Sequence, residues 1–372
     1  MKNIICLILC FATSILNADE KETPSLIITP QTGDIQIFEP IQQVANPLFS
    51  GYKGNSSVHI NGYLQLKAYN YPNSYYSSNN TLSINRSELA VTWKPDTNIN
   101  CLVSTGSDEM LSEKKIVWKD LKIDFELSPL VILSIGGYKS PFSYELLNSE
   151  KNLDFIDYSE SVLPFAPRRM VGIQASGRTG FFGYAFKISN SSFYSSNNNY
   201  KYFNIRVIFD ITEWLHIANS EYYEFDIYSD SASISRISSA GELILNFEPL
   251  VFKCEYLHGY PQKNDYYQSN LYGYAEGWYG QLGYKLFENY ELLLKWDHLW
   301  GHTYTDGSKY SSSINGGNYE EKLIIKDKYI MGMNYYLNQN LKLQFNWEYI
   351  PVNPNERHKF IFQLQTDFDL KI

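Results

Sequence analysis

The sequence predicts an all-β fold, a closed transmembrane antiparallel β-barrel of about sixteen strands. Two observations carry most of this. From Ser56 onward polar and apolar residues alternate with a period of two, and the connections between the alternating segments are short and long by turns. A third is compositional. The 372 residues hold 32 Tyr, 21 Phe and 7 Trp beside only 5 Met, and rings at that level suit strands better than helices.

The alternation is cleanest near the end of the chain. Tyr329, Met331, Met333, Tyr335 and Leu337 share one face, and Ile330, Gly332, Asn334, Tyr336 and Asn338 the other. Leu341, Leu343, Phe345, Trp347 and Tyr349 repeat the scheme against Lys342, Gln344, Asn346 and Glu348. A strand sorts such residues onto two faces, whereas a helix would scatter them around its circumference. On this template the strands fall near 56–70, 81–94, 99–106, 115–127, 130–139, 168–178, 180–190, 200–211, 214–226, 235–247, 250–260, 271–286, 289–300, 324–338, 340–351 and 357–370.

Turns such as Ser128-Pro129, Phe247 to Pro249 and Asn338 to Asn340 are short, and the loops between them, such as Gly301 to Leu323, are long and polar. Short periplasmic turns and long external loops are what an outer-membrane barrel requires, and an even strand count returns both chain ends to the short-turn side. A barrel of this size encloses water rather than a packed core. A large soluble sandwich or propeller also alternates, but seldom with this order of connections. Rings such as Trp93, Tyr202, Trp214, Phe247, Tyr256, Trp278, Trp296 and Trp347 are expected on the apolar face as interfacial girdles.

Lys2, the apolar run Ile4 to Ala12 and the small Ala18 before Asp19-Glu20 read as a signal peptide over 1–18, too short to span a bilayer as a helix. Residues 19–55 are expected to be a periplasmic leader and 56–372 the barrel, in the cell outer membrane of a Gram-negative-type bacterium. After cleavage Cys101 and Cys254 remain, isolated and expected unpaired. The formal net charge of -9, with no basic run, argues against nucleic acid. No nucleophile elbow, phosphate loop, HExxH or paired-Cys motif is present, and His298 and His302 read as rim residues, so no enzyme, cofactor or metal is expected.

The most distinctive stretch is GGYKSPFSYELLNSEKNLDFIDYSESVLPFAPRRMVG, at Gly136 to Gly172. Through Gly136, Lys139, Pro141, Phe142, Glu145, Arg169 and Gly172 it resembles the phosphate-selective porin O and P family. GYAEGWYGQLGYKL, at Gly273 to Leu286, and the closing strands from Tyr329 to Phe368 look similar as well. The resemblance implies a sixteen-stranded, trimeric outer-membrane diffusion channel whose partners are membrane lipid and small hydrophilic solutes or ions.

The connection Ser140 to Pro167, after the fifth strand, is the longest, and it is unusually apolar, with Phe142, Leu146, Leu147, Leu153, Phe155 and Ile156. An exposed loop would not be, so it is expected to fold inward against the wall and narrow the pore. Its charged residues are constriction candidates: Lys139, Lys151, Arg168 and Arg169 against Glu145, Glu150, Asp154, Asp157 and Glu160, one acid in excess. Arg86, Arg206, Arg236, Lys122 and Lys295 are pore-lining candidates on the strands. Inward charges of both signs argue for weak selectivity, and a basic wall facing an acidic one would set up a transverse field. A phosphate- or anion-selective channel and a surface-exposed adhesive barrel are the alternatives.

Overall fold

The computed structural model describes residues 56–70, 81–107, 116–128, 130–167, 169–192, 200–226, 233–260, 271–305, 320–351 and 357–371. The expected signal and leader segments, 1–55, lie outside these. Sixteen strands run β1 (Ser57–Asn70), β2 (Thr81–Asp96), β3 (Ile99–Ser107), β4 (Ile116–Ser128), β5 (Val131–Tyr138), β6 (Met170–Thr179), β7 (Phe182–Ser192) and β8 (Tyr200–Thr212). They continue as β9 (Leu215–Asp226), β10 (Ser233–Phe247), β11 (Leu250–Gly259), β12 (Leu271–Phe287), β13 (Tyr290–Thr305), β14 (Glu320–Asn338), β15 (Leu341–Tyr349) and β16 (His358–Lys371). Each pairs antiparallel with its sequence neighbours, and β1 closes on β16 from His59 opposite Lys371 to Asn70 opposite Phe360. Closure leaves no unpaired edge, which lets strands stand in hydrocarbon. Among the described residues no helix is long and apolar enough to cross a membrane.

All sixteen expected strands are present. The largest departures are β13, which runs five residues past its expected end, and β14, which begins four residues early. Both departures lie in polar sequence, Gly301 to Thr305 and Glu320 to Leu323, that reads as part of the intervening loop. Every connection on one rim, from Thr97-Asn98 to Gln339-Asn340, is two residues long. Gly180, in one of them, has a φ of 50°, the left-handed region that tight hairpins use.

The alternation sorts side chains as predicted. Gln65, Lys187, Asn204, Arg206, Asn334 and Gln344 are buried within the barrel, while Met331, Leu294 and Phe362 are about half exposed on its outside. Two of the register shifts bear on the lumen. A bulge at β2, opposite Gln65 and Leu66, turns both Asn85 and Arg86 inward. Another, where Val103 and Thr105 face Leu121 and Trp118, brings both Lys119 and Asp120 inside. Tyr202, expected among the outward rings, stacks instead on Tyr222 against the inner apolar cluster, at 5.8 Å. Inward position here follows from Asn204 and Arg206, which share its face.

Met331 stands midway along β14 between the outward rings Tyr329 and Tyr335. Met331→Lys is therefore expected to lower the stability of the bilayer-folded barrel by about 2–4 kcal/mol, read from reversible unfolding in denaturant.

Candidate functional site

The connection between β5 and β6 follows the chain from Lys139 to Arg169. It holds one helical turn, α1 (Tyr144–Leu147), and two 3-10 turns at Glu150–Asn152 and Leu163–Phe165. Ser143 opens α1 at a φ of 65° and its side chain accepts the Leu146 N–H. Two wall carboxylates hold the loop backbone. Glu255 of β11 accepts the N–H groups of Tyr144 and Glu145 at 3.2 and 3.4 Å, and Asp297 of β13 accepts those of Glu160 and Ser161 at 2.6 and 3.0 Å.

Each expected constriction acid meets a cation of the wall. Glu145 pairs with Lys295 at 2.6 Å and also accepts the Ser159 N–H at 2.9 Å. Glu150 takes Lys119 and the Tyr63 hydroxyl, both at 2.7 Å. Asp154 pairs with Lys253 at 2.6 Å and accepts from Gln281. Asp157 faces Lys67 at 3.3 Å and Arg86 at 3.5 Å, while Arg86 also donates to the Ile156 carbonyl. Glu160 sits between Lys328 and Lys326, at 2.9 and 3.2 Å.

The cations of the loop are tied as well. Lys139 donates to the Asn148 carbonyl at 2.7 Å, and Arg169 reaches Asp120 at 3.0 Å. Lys151 contributes its backbone, whose carbonyl accepts Lys342 and Gln365. Arg168 lies outside the described residues. Three wall candidates stand apart from the loop: Arg206 forks onto Glu242 and donates to Ser220, Arg236 lies 3.9 Å from Glu224, and Lys122 pairs with Asp124 at 2.9 Å. The signs therefore interleave. Among the described residues no basic wall stands opposite an acidic one, because loop acids that share one short segment fan out to β1, β2, β4, β11, β13 and β14.

Apolar burial sets the grip. Phe142, Val162 and Phe165 pack with Tyr222, Leu257, Tyr279 and Leu299 of the wall, and Phe155 packs with Leu293 and Ile330. Each fully buried side chain of this kind contributes about 1.5–3 kcal/mol, whereas a buried ion pair roughly breaks even against desolvation. The rings hold the loop inside, and the charges fix its register. Backbone contact is close too: a Cβ on Gly277 of β12 would lie 2.4 Å from the Ser161 carbonyl oxygen.

These pairs hold three of the loop carboxylates down. Lys328 beside Glu160 holds its carboxyl down, at about 2. Asp157 and Glu150 also stay well below the usual carboxylate range, burial being outweighed by Lys67 and Arg86 at the first and by Lys119 and Arg86 at the second. Burial and neighbouring Arg169 push Lys139 down to about 8. Groups with depressed carboxylate values stabilise the docked loop fully above the ordinary range near 4.5, and that contribution fades as pH falls, the part from Glu160 being gone below about 2. Single-channel conductance is therefore expected to stay flat from pH 7 to 5 and to change only in stronger acid; a step between pH 7 and 5 would contradict these pairings.

Lys119, Tyr63, Gln281, Lys326 and Lys328 are among the site residues that sequence reading missed. Lys119 was hidden by the bulge, since strict alternation from Lys122 places it outside. Tyr63 and Gln281 carried a signal, their place on the polar face beside Gln65 and Lys253, but their chemistry is common on any wet wall. Among the described residues no group of His, Cys, Asp and Glu could hold a metal ion, and Cys101 and Cys254 are free thiols.

A sixteen-stranded closed wall, polar within and apolar without, with a long connection tied to its inner face, defines a porin-type barrel. The comparisons agree. The sequence profile of the phosphate-selective porin O and P family matches residues 88–225. That span includes the Gly136 to Gly172 motif and excludes the two later stretches that also resemble the family. No curated protein sequence matches the chain. Among solved structures the chain is similar to the outer membrane channel DcaP of Acinetobacter baumannii, with a TM-score of 0.56 at 11% identity over 86% of this chain and 100% of that one. It is also similar to OmpF of Salmonella typhi, with a TM-score of 0.57 at 7% identity, 85% and 98% covered. The trimer form of OmpT of Vibrio cholerae gives 0.55 at 8%, with 84% and 99% covered. At these identities the likeness is one of fold.

Proposed function

We propose that the chain is an outer-membrane porin through which small hydrophilic solutes or ions diffuse passively, with weak charge selectivity, and that it works as a homotrimer. The observation that carries this is the inner face itself: charged and amide side chains from all round a closed barrel, with an inward connection that leaves both signs in the lumen. Lys139, Glu145, Glu150, Asp154, Asp157, Glu160 and Arg169 are the constriction on this reading. Export by a signal peptide cleaved near Ala18 belongs to the same proposal, as does a channel rather than an enzyme. The family match and the trimer form of a similarly folded protein support it.

A phosphate-selective channel is the second reading, favoured by the family that matches residues 88–225. Against it, five wall cations that an anion would use, Lys67, Lys119, Lys253, Lys295 and Lys328, already face loop carboxylates. Planar-bilayer recording separates the two. Stepwise openings with a reversal potential near zero in a salt gradient support the weakly selective porin. Strong anion selectivity, or block of chloride current by low phosphate, supports the other, and a folded barrel that gives no openings contradicts both.

A further inference from the structure

We propose that two rows of wall amides position the loop at residues 150–154 by its backbone, and so set where the Asp154 carboxylate stands in the lumen. The inference rests on the channel reading for the meaning of a constriction, and it goes beyond that reading by assigning positioning residues that carry no charge.

The inner face of the closing strands is rich in amides. Glu291 of β13 stands directly opposite Asn334 of β14, Asn334 opposite Gln344 of β15, and Gln344 opposite Gln363 of β16. Their side chains bond in one direction. Asn85 of β2 donates to Gln363 at 2.7 Å, Gln363 to Gln344 at 2.8 Å, Gln344 to Asn334 at 3.1 Å, and Asn334 to the Glu291 carboxylate at 3.0 Å. A shorter row beside it runs from Gln65 of β1 to Gln365 of β16 at 2.8 Å, and on to Asp367 at 3.3 Å. Both rows start at an amide oxygen to which no described group donates, Asn85 Oδ1 and Gln65 Oε1, and both finish on a carboxylate. Turning any one amide over would set donor against donor on one side and acceptor against acceptor on the other, so each row has a single orientation. The bulge in β2 thereby acquires a use, because it brings inward the amide that heads the longer row.

The second hydrogen of these amides goes to the loop. Gln65 donates to the Glu150 carbonyl and Gln365 to the Lys151 carbonyl, each at 3.2 Å. Gln344 donates to the carbonyls of Leu153 and Asp154 at 3.4 and 3.2 Å, and Asn334 to that of Asp154 at 3.0 Å. The Asp154 carbonyl thus takes donors from two strands. With its backbone held from β14 and β15, its side chain reaches Lys253 and Gln281 on β11 and β12. Gln65, Asn85, Asn334, Gln344, Gln363 and Gln365 are all buried, where losing a partner leaves a group unsatisfied rather than hydrated. Gln363 separates a row from a plain contact. Among the described residues it bonds Asn85 and Gln344 and no loop atom, so what its removal does to the loop passes along the row.

The test uses single thiols in a Cys101→Ser, Cys254→Ser background, one at Leu153→Cys beside the row and one at Val162→Cys in the turn held by rings. Their rates of reaction with a water-soluble maleimide are compared between the intact row and three breaks of it, in barrels of unchanged heat-modifiable mobility. Gln344→Met removes a direct loop contact, whereas Gln363→Met and Asn85→Ala remove members that bond no loop atom. The expected result is labelling at Leu153→Cys about tenfold faster in Gln344→Met and Gln363→Met, the size of one lost buried hydrogen bond, and faster to a lesser degree in Asn85→Ala. Val162→Cys should label at its original rate throughout. Faster labelling in Gln344→Met alone overturns the row as a unit. No change at Leu153→Cys in any break, or equal acceleration at Val162→Cys, overturns the positioning altogether. None of these readouts needs current, so barrels that label as expected yet give no openings overturn the channel reading and leave the amide rows standing.

Discussion

Replacing three loop carboxylates at once, Asp154→Asn, Asp157→Asn and Glu160→Gln, is expected to make the channel anion-selective. These acids face Lys253, Lys67, Arg86, Lys328 and Lys326. The substitutions keep side-chain shape and one accepting oxygen each while removing three negative charges from the loop. A unit charge about 5 Å from a passing ion in a wet lumen acts with about 0.8 kcal/mol, roughly a fourfold change in local concentration. Three such charges bias the permeability ratio further, and the reversal potential in a potassium chloride gradient should move clearly toward chloride. The loop itself should stay docked, because Phe142, Phe155 and Phe165 are untouched. A reversal potential that does not move would mean that these carboxylates lie off the conduction path.

The second large effect comes from the opposite kind of change, which spares every charge and attacks the fit. Gly277→Val adds a side chain where even a Cβ would come within 2.4 Å of the Ser161 carbonyl oxygen. A β-branched residue suits the strand, so the wall of β12 tolerates it and the loop must give. Moving the Ser159 to Leu163 turn frees Asp297 from its two backbone donors and loosens Val162 and Phe165 from their pocket. Conductance should rise and the open level become noisier, with the barrel's heat-modifiable mobility unchanged. Gly277→Ala, with the same contact in smaller form, should show a weaker version of the same change. Unaltered current in both would mean that the loop's seat on β12 has no bearing on flow.

How much of this was legible in the chain follows from where local pattern decides structure. Strand order, the even count and the tight rim were readable because a period of two and short turns such as Glu288-Asn289 are local properties. So was the inward turn of the Ser140 to Pro167 segment, since rings such as Phe142, Phe155 and Phe165 have no place on an exposed loop. The pairing of its acids was not readable. Glu145 to Lys295 and Glu150 to Lys119 span 150 and 31 residues, and which loop acid reaches which strand depends on how the loop crosses the lumen. Lys119 and Asn85 escaped for a different reason, because a single extra residue in a bulge reverses parity without any mark in composition. Tyr202 failed likewise: as a ring near a strand end it matched the girdle pattern, and only its register against Asn204 and Arg206 shows that it faces inward.

Ion pairs and apolar burial divide the work in this loop: rings seat the segment within the barrel, and on the proposed reading its carboxylates set the charge that a solute meets. The most direct measurement is single-channel conductance of a chain in which residues 143–162 are replaced by a short Gly-Ser linker. The expected result is a well-folded barrel whose unit conductance is at least about twofold higher, since removing an obstruction widens the narrowest section of a water-filled lumen. A folded barrel with unchanged unit conductance would contradict it.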